Sequence, residues 1–203
     1  MEDQRASMTI PDEATIREYY DLRKQLANFT EDMQTVISHP DYCVPFLQPG
    51  RLVQIKYLEH DFGWGAVVNY KQRKQPKNAT EELSPHQSYV VDVLLKIADG
   101  HSVGTQTHTD LPSGVRPPQD GEKFRMEVVP VLLSCIQAIS HIRIFLPKEV
   151  QTTDSRTSVK RSLDEVQRRF PDGIALLDPI ENMGIKDDSF KKLLRVRRHT
   201  HAT

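Results

Sequence analysis

Hydrophobic positions along this chain follow a helical period at both ends and a strand period in the middle. Between residues 12 and 38, Tyr19, Leu22, Leu26, Phe29, Met33 and Val36 step by three and four. That is the seam of a helix packed on another helix. Asp12 and Glu13 after Pro11 suit a helix start, and His39-Pro40 ends it, because the residue before proline avoids helical geometry. A helix of this length extends roughly 40 Å and predicts one half of a stalk. Across residues 50–146 the pattern predicts strands at 51–57, 64–70, 88–96, 124–131 and 141–146. After Pro147 the helical period returns: Val159, Leu163, Val166 and Phe170 share one stripe until Pro171-Asp172-Gly173 stops it. A further helix is expected near 187–197.

The segment Gln48–Tyr70 carries most information. A Pro49-Gly50 turn releases the alternating strand Leu52–Tyr57, and Gly63-Trp64-Gly65 opens a second apolar run to Tyr70. Glycines flanking a lone tryptophan mark a corner where backbones approach closely. This strand–turn–strand unit resembles the KOW motif of small SH3-like barrels, and an ordinary hairpin of another barrel has the same local pattern. Asp92 interrupts the apolar run 88–96, as an outward residue of an edge strand or as a carboxylate at a binding surface. The organisation expected is a disordered 1–11, a stalk helix and connector over 12–49, a barrel over 50–146 with mobile loops at 71–87 and 98–123, return stalk helices over 147–197 and a disordered tail at 198–203.

Bulk chemistry narrows the functional classes. A formal net charge of −1 argues against coating nucleic acid by bulk charge, so any RNA contact must come from local basic patches. No apolar run approaches the roughly 20 residues of a membrane span, and no membrane partner is expected. Cys43 and Cys135, the only cysteines, form neither a disulfide framework nor a metal pair, which fits a reducing compartment. The chain has no Gly-x-x-x-x-Gly-Lys-Ser/Thr phosphate loop and no Asp-Glu-x-His string. Without a phosphate cradle or a magnesium-holding acid, nucleotide hydrolysis is not expected of these residues, and no cofactor is implied.

The strings FLQPGRLVQI, DFGWGAVVNY, YVVDVLLK, VVPVLLSCIQAISHIRIFLPKE and RRFPDGIALLDPIENMGI, in this order, closely resemble the arch domain of the nuclear exosome-associated DExH RNA helicases, the unwinding subunits of the TRAMP polyadenylation complex. The resemblance runs from about Tyr19 to about Leu194. It implies an α+β fold, an SH3-like KOW β-barrel inserted in an antiparallel helical stalk, and a nuclear and nucleolar setting. The C-terminal RVRRHTHAT departs from the periodicity of the family's return helix. The alternatives are a stand-alone KOW-type RNA-binding module, against which neutral charge and the long stem count, and the arch of a paralogous helicase of a clock-protein complex.

In that family the barrel docks adaptor proteins through a short Leu-Phe-x-x-Asp type motif and also contacts structured RNA. The resemblance implies a peptide site at Arg51, Asp92, Ile142 and Arg143. Asp92 stands where a glutamate is usual, and Ile142 points away from Arg143 if pairing is regular. Arginine suits the acidic end of the motif, because its planar fork takes a carboxylate in two parallel hydrogen bonds. Read alone, the two arginines are better taken as solvated strand-end residues, since most surface arginines have no dedicated partner; the resemblance reverses that preference. For RNA the candidates are Lys56, Lys71, Arg73, Lys74 and Lys77, a set that a solvated loop would also produce.

Overall fold

The computed structural model describes residues 13–74, 83–100, 112, 114–188, 190, 191 and 194. Lys77, residues 101–111 and 113 of the 98–123 loop, and both terminal segments expected to be disordered lie outside the described residues. The chain divides into two units, one formed by 1–34 with 187–203 and the other by 35–186.

In the first unit, helix α1 (Glu13–Ile37) runs for 25 residues, reaching into the second unit. Met33, Phe190 and Leu194 are buried in this unit. The stripe is uneven, for Ile16, Tyr19 and Tyr20 are exposed, and Tyr19 lies under the Arg23 guanidinium, 5.9 Å from its ring centroid.

The second unit opens with the short helix α2 (Pro40–Cys43) and a single 3-10 turn, Val44–Phe46. Five strands follow: β1 (Arg51–Tyr57), β2 (His60–Gln72), β3 (Tyr89–Ala98), β4 (Phe124–Leu132) and β5 (Ile136–Arg143). They form one antiparallel sheet in the order β4-β3-β2-β1-β5. The sheet is not closed into a ring, and bulges in three of its four pairings give the barrel-like curvature of the KOW class. Lys71, expected in a loop, is a β2 residue. The last strand was expected at 141–146 but begins at Ile136, directly after the 3-10 turn Leu133–Cys135, which carries the chain from β4 at one edge of the sheet to β5 at the other without reversing its direction.

Both faces of the sheet are covered, which explains the near-continuous apolar run of β3. On one face Val53, Ile55, Val67, Val93 and Leu95 are buried. On the other, Leu52, Ala66, Leu94 and Met126 form a core with Val150, Val159, Leu163 and Ile174. Val159 and Leu163 come from helix α3 (Thr153–Arg169), so this segment, which the sequence reading places in a return stalk, packs on the sheet. Thr152 caps its start by accepting the Ser155 amide, and Phe170 and Pro171 end it. Polar ties hold the helix at both ends. Arg156 forks onto Glu127 at 2.9 and 3.0 Å and donates to the Val150 and Met126 carbonyls. Asp164 accepts from Lys96 and Lys160 at 2.9 and 2.7 Å, while both ammonium groups also sit over the Phe124 ring.

Candidate peptide and RNA contact surfaces

The Pro49-Gly50 turn organises the proposed peptide edge. Gly50 has φ +83°, a region that L side chains avoid, and a Cβ there would sit 2.0 Å from the Ile144 carbonyl oxygen. Its amide donates to the Val67 carbonyl at 2.8 Å and its carbonyl accepts the Ile144 amide at 2.9 Å. This close passage brings the start of β1 against the end of β5, where Arg51 and Arg143 are cross-strand partners.

The two arginines do different work. Arg51 donates from Nε to the Phe46 carbonyl at 3.2 Å and from Nη1 to the Ser140 and His141 carbonyls at 3.2 and 2.8 Å. Burial and, after it, the positive charge of Arg143 draw its pKa down from the usual arginine value. Arg143 is exposed, donating to Gln48 Oε1 at 2.7 Å and to the Pro49 carbonyl at 3.1 Å. A guanidinium has five N–H groups, so a carboxylate can still be gripped. Two residues further on, Phe145 is 83% exposed, and the sequence reading missed it. The signal was present, a large aromatic residue at a strand exit two positions before Pro147.

The other two predicted peptide residues lie elsewhere. Between the Arg51–Arg143 and Val53–Ile139 pairs, β5 carries two extra residues, a bulge in which Ser140 Oγ donates to the Ile142 carbonyl and accepts its amide. Ile142 nevertheless packs on the core beneath α3. Asp92 pairs with Lys71 at 3.3 Å and neighbours Asn69 and Pro130 in the sheet. It shares the α3 face with Leu94, two residues away, whereas Arg51 is out of step with core-facing Leu52. With β2 and β1 between β3 and β5, Asp92 is not joined to the arginine pair.

The basic candidates do not form one patch. Lys56 is exposed near the β1–β2 hairpin. Lys71, Arg73 and Lys74 stand at the far end of β2, about 30 Å away along the strand. Lys71 is 68% exposed and Lys74 is exposed, while Arg73 donates from Nη1 to the Gln87 carbonyl at 3.4 Å. Beside this end lies a hollow of about 450 Å³ lined by residues of α2, β2, the 84–88 turn and Tyr89. Among the described residues no cluster of His, Cys, Asp or Glu could hold a metal ion.

Comparison with known proteins gives this surface its family. Residues 39–202 match the model "Mtr4-like, beta-barrel domain" and residues 1–38 match "Exosome RNA helicase MTR4-like, stalk". The chain is 44% identical over 189 residues to the ATP-dependent RNA helicase mtr4 of Schizosaccharomyces pombe, covering 93% of this chain and 17% of that protein. It is 43% identical over 194 residues to human Exosome RNA helicase MTR4, covering 96% and 18%. The DExH-box ATP-dependent RNA helicase DExH10 of Arabidopsis thaliana is 34% identical over 195 residues, covering 96% and 19%. The chain thus spans less than one fifth of the length of these relatives, within their stalk and β-barrel and outside their catalytic core. It belongs to the Mtr4-like exosome RNA helicase family, as the stalk and β-barrel region that forms the arch.

Proposed function

We propose that this arch region is a non-catalytic docking module. It binds the Leu-Phe-x-x-Asp motif of adaptor proteins at the β1–β5 edge and contacts structured RNA through the end of β2, within a parent ATP-dependent helicase serving nuclear RNA processing and decay with the exosome. The observation that carries the peptide reading is the pairing of Arg51 with Arg143 beside the exposed Phe145 ring. Arg143 supplies a fork for the acidic residue, and Phe145 offers an apolar surface for the Leu-Phe pair. Arg51 is the positioning residue, holding the strand ends that present Arg143. Asp92 and Ile142 support the sheet and its core in this reading.

The RNA reading rests on exposed Lys71 and Lys74 at one strand end, with Arg73 between them. Lys56 is too distant to share a short contact, and Lys77 lies outside the described residues. An amide-shift titration with a Leu-Phe-x-x-Asp peptide tests the docking reading. Shifts centred on Gln48, Arg143 and Phe145 are expected. Saturating peptide with no shifts at that edge overturns it.

A further inference from the structure

The hollow beside the β2 end has the chemistry of a base-stacking site, and we infer that it receives one splayed nucleobase of single-stranded RNA. This inference rests on the proposed RNA contact at Lys71 and Lys74 and specifies what that contact reads.

Two aromatic rings, His39 and Tyr89, line the hollow, and Pro45 and Pro85 contribute to its walls. Neither ring is loose. His39 is braced by Tyr42 in a tilted contact, ring centroids 5.9 Å apart, and by His86 edge-on at 5.8 Å, while its Nδ1 accepts the Asp41 amide at 3.4 Å. Tyr89 opens β3, pairs with Gln72 in the sheet and leans on Tyr70 at 6.2 Å. Rings held in advance stack on a base with little further ordering, and every base has a face to offer. The hollow, of about 450 Å³, is open to solvent rather than enclosed, so a base can enter it from outside.

Charge fixes which part of a nucleotide enters. Asp41, 81% exposed, brings a carboxylate to the lining, which repels phosphate and the acidic end of a docking peptide alike. Gln72 also lines the hollow, and its chain neighbours are Lys71 and Arg73. The phosphates belong outside, on the lysines, and the base belongs inside. A carboxylate accepts but cannot donate, so the exocyclic amino groups of adenine and cytosine are favoured over uracil, whose one ring N–H lies between two carbonyl oxygens that the carboxylate repels.

Fluorescence anisotropy of the 203-residue chain with labelled adenosine, cytidine and uridine oligomers of about eight nucleotides tests this. The adenosine and cytidine oligomers are expected to bind more tightly than the uridine one. Tyr89→Ala and His39→Ala are each expected to weaken them about tenfold, the loss of one stacked base, while Tyr89→Phe keeps the ring and the affinity. Asp41→Asn is expected to erase the preference over uridine. If Tyr89→Ala, checked for folding by its thermal transition, binds as wild type while glutamine at Lys71 and Lys74 abolishes binding, the stacking site is wrong and the RNA contact survives. If wild type binds a structured RNA but none of the oligomers, the stacking site falls alone; if it binds neither, both fall. If a proline-rich peptide, and no oligomer, shifts the amides of His39 and Tyr89, the hollow is a peptide groove and the inference is overturned.

Discussion

Arg51 and Arg143 face each other across β1 and β5, like charge against like, and only Arg51 has its guanidinium spread over backbone carbonyls on both sides of the seam. Directly opposed like charges destabilise a sheet pair. Three carbonyl acceptors from Phe46, Ser140 and His141 offset that repulsion for Arg51, leaving Arg143 as the group that gains most from an incoming carboxylate.

The pair should therefore separate stability from binding. Arg143→Ala is expected to weaken a Leu-Phe-x-x-Asp peptide at least about tenfold, or 1.4 kcal/mol, with Arg143→Lys recovering only part. Arg51→Ala is expected to lower folding stability by about 1–3 kcal/mol, because charged hydrogen bonds to half-buried carbonyls are lost. Calorimetry and urea unfolding on the same preparations check both. Unchanged peptide affinity in the Arg143→Ala protein would remove the docking reading.

Gly50→Ala should be among the most damaging substitutions in the sheet. It places a side chain at φ +83° and drives a methyl group against the Ile144 carbonyl, 2.0 Å away. The backbone alone costs about 1–3 kcal/mol, and the clash adds to it. The urea midpoint should fall well beyond that of a surface control such as Gly121→Ala, where φ is also positive and nothing lies within 4 Å.

The α3 ties predict an acid-sensitive anchor. Burial raises the Asp164 pKa, but its hydrogen bonds from Lys160 and Lys96 outweigh burial and leave it below the ordinary carboxylate value. A depressed folded-state pKa contributes stability above the unfolded-state value, lost as pH falls through the folded one. Asp164→Asn is expected to lower stability at neutral pH and to flatten its decline below about pH 4, the ordinary carboxylate range. Melting temperatures across pH 3–7 read the difference, and parallel curves for the two proteins would refute it.

For RNA, glutamine at Lys71, Arg73 and Lys74 should weaken binding to a structured RNA and reduce the slope of affinity against salt, since fewer counterions are released. Because Asp92 pairs with Lys71, Asp92→Asn should strengthen binding modestly by freeing that ammonium. An unchanged salt slope would mark the strand end as merely solvated.

Much of the architecture was legible where the cause is local. The β1 limits, the Pro49-Gly50 corner and the helix over most of 12–38 follow from turn chemistry and period. What escaped was the identity of partners. The stripe Val159, Leu163 and Val166 announces a buried face equally for a stalk neighbour and for a sheet, and only the fold shows the sheet. A single polar residue in β3 could not reveal that Asp92 answers Lys71 rather than an arginine two strands further on. Arg51 looked like a surface charge because two of its three acceptors, Ser140 and His141, lie about ninety residues away in sequence.

One small pairing restricts how any extended segment could add to the β5 edge. On the outer side of β5, Ser140 bridges Leu176, the His141 amide donates to Ala175 and the Ile139 carbonyl accepts from Leu177. Along residues 139–141, two backbone groups that could template an added strand, the His141 amide and the Ile139 carbonyl, are already paired within the chain. In the docking reading proposed above, a segment meeting this stretch is recognised by a few anchor side chains rather than by strand pairing. The same occupied stretch denies unrelated extended chains an easy hold by strand addition.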